Sequence, residues 1–258
     1  PATLMILGVL VTTFPAVLLM KKIGRKNGFI LSGLISIIAC LLAAYSINLG
    51  NFYLFCFATF LLGTNIAFIQ QYRFAALESV AKPLISKAVS FVLFAGILAG
   101  FLGPEIAKHT KDLFSLQEYS GSFIMLAFLF FAALVLLSFT KNISMHDEKI
   151  IAKERPLLQI ITQPLYLLSV LASAIAFGVM LLVMTATPIY MHKMMHFDLS
   201  QTVFVIQSHI VAMFLPSLIT GLLIQKFGVH KILVAGLLFF CVTVFFALNP
   251  NGMWTYWI

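Results

Sequence analysis

Charged residues are scarce in this chain. Asp, Glu, Lys and Arg together make up 9% of its 258 residues, whereas hydrophobic residues make up 62%. Soluble domains carry about 25% charged residues, which cover their surfaces. With a mean hydropathy of +1.07, the chain has too little polar surface to fold as a globule in water. The composition excludes a soluble domain and predicts a protein whose main partner is the lipid bilayer.

Residues that carry enzyme or metal chemistry are also sparse. The three cysteines, Cys40, Cys56 and Cys241, lie singly within apolar runs, without the spacing of a metal site or a disulfide framework. The sequence contains no His-Glu-x-x-His, no Gly-x-Ser-x-Gly and no phosphate-binding Gly-x4-Gly-Lys-Ser/Thr. We expect no enzyme activity, no metal and no cofactor. Without a nucleotide site, energy has to come from an ion gradient, for which we expect protons.

Long apolar runs dominate the chain. A helix needs about 20 apolar residues to cross the ~30 Å hydrocarbon layer, where backbone amides must find internal partners. Eight runs reach this length, and a ninth begins near Met253. They cover residues 1–20, 28–48, 51–77, 87–107, 121–140, 164–190, 201–225 and 231–249. The sequence predicts an all-α membrane protein, and its apolar ends lead us to expect a fragment of a longer chain.

Basic residues alternate from loop to loop. Twelve of the sixteen Lys and Arg residues lie near the loops after the first, third, fifth and seventh runs, and only three lie near the others. The larger set comprises Lys21, Lys22, Arg25, Lys26, Lys82, Lys87, Lys141, Lys149, Lys153, Arg155, Lys226 and Lys231. By the positive-inside rule these loops are cytoplasmic, which predicts a multi-pass protein of the inner membrane. The same asymmetry explains the net charge of +8 without a nucleic acid partner.

The longest inner loop, residues 141–163, is predicted to link an N-terminal bundle (1–140) to a C-terminal bundle (164–258). It is charged through Arg155 and then apolar at Leu157-Leu158 and Ile160-Ile161. Either an interfacial amphipathic helix or a solvated charge run accounts for this pattern.

Two inner loops share a pattern of cations around a glycine. Gly24 follows the first run and Gly228 follows the seventh, 204 positions apart, on either side of the long loop. Glycine allows a sharp reversal of the chain, and the cations hold the loop at the headgroups. The matching segments read Leu19-x-Lys21-Lys22-x-Gly24-Arg25-Lys26 and Gly221-x-Leu223-x-Gln225-Lys226-x-Gly228-x-His230-Lys231. The pair indicates an internal repeat of two helical bundles.

With these loops the sequence resembles the major facilitator superfamily of secondary transporters. That family has twelve helices in two halves and carries Gly-x-Leu-x-Asp-Arg-x-Gly-Arg-Arg/Lys after its second and eighth helices. The resemblance implies that the chain spans helices two to nine and the start of ten. Val17 replaces the first Gly of the pattern, and Lys21 and Gln225 replace the Asp. The gating-loop residues implied by the resemblance are Lys22, Gly24, Arg25, Lys26, Glu78, Gly221, Lys226 and Gly228.

Two further stretches resemble elements of the same family. Glu78-x4-Pro83-x3-Lys87 is similar to the Glu-x-x-Pro-x-x-x-Arg element after helix four, with one extra residue. A second stretch is similar to the Gly-Pro motif that is typical of helix five in the family's proton antiporters, and it contains Gly96, Gly100, Gly103 and Pro104. The three glycines also form a small-residue stripe that permits close helix contact.

Few polar residues lie inside the runs, and each has a functional and a structural interpretation. Arg73, preceded by Gln70, lies near the inner boundary; it would bind an anionic group, latch a gate to Glu78 or the Gly24 loop, or extend to the headgroups. Asn65 lies near mid-membrane, where it would contact substrate or pack against another helix.

The remaining candidates concern protons. His209, near Gln207, lies about 24 Å along its helix from Lys226 and would be either a proton-coupling site or a hydrogen-bonded packing residue. Glu105 follows Pro104 at the outer end of its run and would be a proton carrier or the partner of a cation such as Lys108.

These observations predict a secondary transporter that moves a small organic solute by alternating access, with possible proton coupling and a monomeric state. The alternative is a sensor or scaffold that keeps the permease fold without transporting anything.

Overall fold

A computed structural model describes residues 1–81, 84–113, 117–140 and 156–248 of the chain. Within these ranges the regular structure is helical and no strand occurs. The helices are α1 (Ala2–Ile23), α2 (Arg25–Asn48), α3 (Phe52–Ile69), α4 (Tyr72–Glu78), α5 (Ile85–Thr110), α6 (Ser120–Ser138), α7 (Leu157–Ile161), α8 (Pro164–Lys193), α9 (Leu199–Phe214), α10 (Ser217–Phe227) and α11 (Val229–Leu248).

Eight segments in the described ranges are long and apolar enough to cross a membrane. Six are single helices, and two combine a pair of helices: α3 with α4, broken at Gln70-Gln71, and α9 with α10, broken at Pro216. The eight predicted spans are therefore confirmed, although the ninth, near Met253, lies outside the described residues. Pro15 and Pro188 stay within continuous helices.

The short connections are closed by local hydrogen bonds. The Asn51 side chain accepts from the Leu54 N–H at 3.1 Å and caps the start of α3. Asp198 and Gln201 form a capping box at the start of α9. The Asp198 side chain accepts a hydrogen bond from the backbone N–H of Gln201, and the Gln201 side chain accepts one from the backbone N–H of Asp198. Such caps satisfy amides that an isolated helix start leaves without partners.

By its contacts the chain divides into two compact units, residues 1–146 and 147–258. In the first unit α3 packs along both α1 and α2, α2 also packs along α6, and α5 contacts α4 and α6. In the second unit the contacts run between neighbours in sequence, from α7 through α11. The predicted bundle limits stay predictions; of the predicted linker, residues 141–155 lie outside the described ranges and residues 156–163 contain α7.

Two glycines bring α1 and α3 into direct backbone contact. A Cβ atom on Gly63 would overlap the carbonyl oxygen of Met5, and one on Gly8 would overlap the carbonyl oxygen of Phe60. Small residues at such crossings let helices approach closely in lipid, where packing rather than the hydrophobic effect holds them together. The residues therefore fix the distance between the two helices.

The two ends of the first unit gather different loops. At one end the α1–α2 turn contacts the end of α4 through Arg25 and Glu78, and the end of α6 through Lys26. At the other end the Gln117 N–H donates to Asn48 Oδ1 at 3.2 Å, which joins the end of α2 to the start of α6. The grouping agrees with the alternating topology that the basic residues predict.

Candidate functional site

The repeated loops share one backbone conformation. Gly24 has φ 85° and ψ 159°, and Gly228 has φ 82° and ψ 157°. Each glycine closes the preceding helix by donating its N–H to the carbonyl four residues earlier, at 2.9 Å to Met20 and 2.8 Å to Ile224. Only glycine adopts this region readily. The sequence repeat is thus a repeat of backbone geometry, and each glycine lets the next helix start at once.

An ion pair joins the first of these loops to α4. Arg25 Nε and Nη2 donate to the two carboxylate oxygens of Glu78, each at 2.5 Å. The Arg25 side chain is 5% exposed and the Glu78 side chain 34%. A two-point pair between a planar guanidinium and a carboxylate is strong and directional, and it is what permits a buried arginine. It ties the start of α2 to the end of α4.

Lys26 fastens the same loop to α6. Its ammonium donates to the carbonyl oxygens of Ser138 at 2.7 Å and Thr140 at 2.6 Å. These are carbonyls at the end of a helix, where a cation satisfies free acceptors and the helix dipole favours it. Consecutive residues therefore anchor two helices. We call the group formed by Gly24, Arg25, Lys26 and Glu78 with the end of α6 the loop clamp.

An apolar cluster lies one helical turn inside the loop clamp. Met20, Phe29 and Ala75 are buried there, together with Ala16, Ala67 and Phe68. The Phe29 ring stacks on Tyr72 with 4.2 Å between ring centroids. A Cβ on Gly28 would lie 2.6 Å from Met20 Cγ, so this glycine makes room for the methionine. The sequence did not indicate that these residues form a cluster. Its only signal for the cluster was a small residue close to the loop.

The structure separates Arg73 from the loop clamp. Arg73 is exposed on α4, and no ion pair joins it to another described residue. In this structure Arg25, not Arg73, contacts both oxygens of the Glu78 carboxylate, and a latch between Arg73 and Glu78 stays a prediction. Gln70 is also exposed and lies at the break between α3 and α4. The polar end of this span is therefore the place where its helix is interrupted.

Asn65 lies inside the first unit. It is 4% exposed on α3, and its side chain makes no hydrogen bond with a described residue. The neighbouring Thr64 hydroxyl, in contrast, donates to the Leu61 carbonyl at 2.7 Å. A buried carboxamide normally has partners for its two donors and its acceptor. Its hydrogen-bonding capacity keeps the substrate-contact interpretation open.

Glu105 and its neighbours form a charged group at the other end of the first unit. His109 Nε2 lies 3.4 Å from Glu105 Oε2, one turn along α5. Lys111 Nζ donates to Glu118 at 3.2 Å, and this hydrogen bond, with the nearby Asp112, raises the pKa of Lys111. The side chains of Glu105 and Glu118 are 37% and 58% exposed, as expected of an interface group. His109 thus lies beside Glu105, and the pairing of Glu105 with a cation such as Lys108 stays a prediction.

A cavity of about 640 Å³ lies beside this charged group. Its walls include Phe55, Ile106 and Phe123, and Gly103 of the helix-five motif also lines it. A Cβ on Gly103 would meet no atom of a described residue within 4 Å. Gly103 therefore does not bring α5 against another described helix, contrary to the packing role expected of the stripe at this position. Gly96, Gly100 and Pro104 lie within α5, as predicted.

The second unit places the histidine candidate between two helices. His209 lies on α9 and lines a cavity of about 50 Å³ with residues of α8. Its Nε2 atom is buried and has no hydrogen-bond partner among the described residues. Gln207 is 5% exposed and does not line that cavity.

Among the described residues, the second glycine loop has no equivalent of the loop clamp's ion pair. Val229 follows Gly228 where Arg25 follows Gly24, so this position offers no cation. Lys226 lies 5.3 Å from the ring centroid of Phe227, at the end of α10, and Gly221 lies within the same helix. Lys22 in the first loop is exposed. The described residues include no group of three or more His, Cys, Asp or Glu side chains able to hold a metal ion.

The spans, the paired glycine turns and the loop clamp define a multi-pass helical membrane protein with a repeated inner loop. A sequence model of the Major Facilitator Superfamily matches residues 1–258, and the chain belongs to this family. The prediction from the loop motifs is confirmed, and so is the prediction that the chain is not an enzyme, because the family and the named relatives are transporters.

Two curated relatives are similar over much of the chain. The riboflavin transporter RfnT of Brucella anthropi is 33% identical over 263 aligned residues, which cover 100% of this chain and 65% of the relative. The uncharacterised MFS-type transporter YddS of Bacillus subtilis is 28% identical over 224 residues, which cover 81% of this chain and 50% of the relative. No solved structure matched the chain.

Proposed function

We propose that the whole protein is a secondary transporter that moves riboflavin or a closely related flavin across the inner membrane by alternating access. The observation that carries the proposal is the 33% identity with a riboflavin transporter, which extends over the full length of this chain. The chain spans 65% of that relative, so the proposal concerns a protein longer than this sequence. Proton coupling is part of the proposal and rests on His209 and the helix-five motif.

The chemistry of the substrate suits the polar residues of the spans. Riboflavin is uncharged near neutral pH and presents a flat ring with amide-like edges and a chain of hydroxyl groups. Carboxamides pair with such groups as both donors and acceptors. Asn65 is buried without a described side-chain partner, and Gln70 lies at a helix break. A neutral substrate has no need of Arg73, which agrees with the exposure of that side chain.

The loop clamp suits alternating access. In such transporters rigid bundles move about a central site, so loops at one face must hold each bundle together while the opening changes. Arg25 and Lys26 join α2 to α4 and α6 within the first unit. The proposed role of the clamp is to keep these inner ends together as the bundle moves. The apolar cluster around Phe29 closes the space beneath it.

Uptake of radiolabelled riboflavin by proteoliposomes that contain the full-length protein tests the proposal. We expect saturable uptake that unlabelled riboflavin competes and that empty liposomes lack. An imposed pH gradient should change the rate, and a protonophore should remove that change. If another solute of a broad panel moves while riboflavin does not, the substrate proposal is wrong. If no solute moves in either direction, transport itself is wrong and the sensor alternative gains support.

A further inference from the structure

The cavity between α8 and α9 is small and mostly apolar. Its volume of about 50 Å³ exceeds the roughly 10–15 Å³ that a cavity needs in order to hold a water molecule. Val183, Met191, Val205 and Ile206 form much of its wall. Water therefore fits this space. Whether such a cavity holds water depends on the polar groups that face it.

Two side chains that line the cavity have unused hydrogen-bonding capacity. His209 Nε2 is buried without a partner among the described residues. Thr187 also lines the cavity, and its hydroxyl makes no hydrogen bond with a described residue. Thr185, two positions before it on the same helix, donates to the Leu181 carbonyl at 2.7 Å, as helical threonines usually do. Thr187 therefore departs from the ordinary pattern at the cavity wall.

Pro188 adds a backbone acceptor at the same place. Proline has no N–H, so the carbonyl of Met184, four residues earlier in α8, lacks its usual helical donor. Both Met184 and Pro188 line the cavity. In membrane helices, groups freed by proline are commonly satisfied by side chains or ordered waters. His209, Thr187 and Met184, which carry the imidazole, the hydroxyl and the carbonyl, come from two helices and line the same cavity.

We propose that this cavity is an internal water site, in which water bridges His209 Nε2 to the Thr187 hydroxyl and the Met184 carbonyl. A bound water with two to four polar partners is stable inside a protein, and three residues that carry such groups line this cavity. The water gives the imidazole a proton donor or acceptor inside the bundle, so His209 exchanges protons with water there. Thr202 supplies a further hydroxyl on the wall, which already donates to the Asp198 carbonyl at 3.2 Å.

His209 is the titratable side chain of this site. No other Asp, Glu, Lys, Arg or His among the described residues lines the cavity. The helices packed against α9 carry His192 and Lys193 at the end of α8 and Lys226 in the last turn of α10. The use of the site in proton coupling rests on the proposed function. Its hydration does not, and the experiment below measures hydration without transport.

Solid-state NMR of the full-length protein in lipid bilayers, labelled with 15N-histidine, tests the water site. The His209 signal is identified by its absence in His209→Gln, and magnetisation transfer from water to its Nε2 is measured. We expect transfer in the wild type, loss of transfer in Thr187→Val, and retention in Thr187→Ser, which keeps the hydroxyl. Thr185→Val is the matched control, because it removes a threonine of α8 that does not line the cavity; transfer should persist in it.

Two results would overturn the proposal. The first is the absence of water transfer to His209 in the wild type, which would show a dry cavity. The second is an equal loss in Thr187→Val and Thr185→Val, which would show a general effect on α8. A thermal unfolding curve for each variant shows that it is folded, and Thr187→Ala, which also removes the hydroxyl, replaces Thr187→Val if that variant does not fold.

Discussion

Arg25 and Glu78 are separated by 53 positions in the chain and are joined by two hydrogen bonds of 2.5 Å, yet they differ in exposure, with side chains 5% and 34% exposed. The difference decides which partner is more costly to remove. A buried arginine that loses its carboxylate keeps a desolvated charge, whereas a partly exposed carboxylate that loses its arginine still contacts water or headgroups. In the loop clamp, the carboxylate of Glu78 therefore stabilises the buried positive charge of Arg25.

We expect Glu78→Gln to lower the free energy of unfolding by about 2–3 kcal/mol, because it strands the buried guanidinium. Arg25→Met should cost less, since the new side chain is apolar and of similar length. The double variant should be more stable than Glu78→Gln alone. Thermal or denaturant unfolding of the purified protein in detergent completes this double-mutant cycle. Additive effects of the two substitutions would show that the pair carries no coupling energy.

The paired glycine turns give a prediction about backbone strain. Gly24→Ala and Gly228→Ala should each destabilise the protein by about 1–3 kcal/mol, because a Cβ is unfavourable near φ 85° and ψ 159°. Gly236→Ala in α11 is the matched control, since a Cβ there meets no described atom within 4 Å and the position is helical. Unfolding curves measure all three. Equal stability of Gly228→Ala and Gly236→Ala would contradict the strained turn.

The glycine crossing of α1 and α3 predicts a steric effect. Gly63→Ala should cost about 1–3 kcal/mol, as overpacking usually does, because its methyl group would overlap the Met5 carbonyl and push the helices apart. Gly8→Ala should act similarly through Phe60. Since both changes separate the same pair of helices, the double variant should cost less than the sum of the single ones. Thermal unfolding measures these losses, and an additive result would mean that the two contacts are independent.

Arg73 distinguishes neutral from anionic substrates. If the substrate is riboflavin, Arg73→Gln should leave the uptake rate within about twofold of wild type. The side chain of Arg73 is exposed, and a neutral solute carries no negative charge for it to bind. If the substrate were an anion bound by this charge, the variant should transport it more than about tenfold more slowly than wild type. A tenfold loss of rate corresponds to a rise of about 1.4 kcal/mol in the activation free energy. Radiolabelled uptake in proteoliposomes measures the rate, with Lys193→Gln as a control for an exposed cation at the end of α8.

The spans were predictable from the sequence because their signal is local. A run of about 20 apolar residues has one stable solution in lipid, a helix, whatever its neighbours are. All eight predicted spans occur in the described ranges. The glycine turns were predictable for a related reason, since cations around a glycine specify a sharp inner turn without reference to the rest of the chain. The family followed from the same loops.

The partners of the polar residues were only partly predictable. The resemblance grouped Arg25 with Glu78, but reasoning from position proposed Arg73 as a latch of Glu78, because Arg73 is near it in sequence. The structure chooses Arg25, since the turn at Gly24 directs the start of α2 toward the end of α4. Contacts that cross 53 residues depend on how helices pack, and the sequence has no periodic signal for them.

By itself, the sequence determined the membrane class, the eight membrane spans and the repeated turn, all of which follow from hydrophobicity, charge and glycine within short segments. Only the tertiary structure decided that Arg25 and Lys26 anchor different helices, that Gly8 meets Gly63, and that His209 and Thr187 line one cavity. The physical reason is that helices in lipid associate through shape and specific hydrogen bonds. A composition rich in apolar residues leaves those choices open until the side chains are packed.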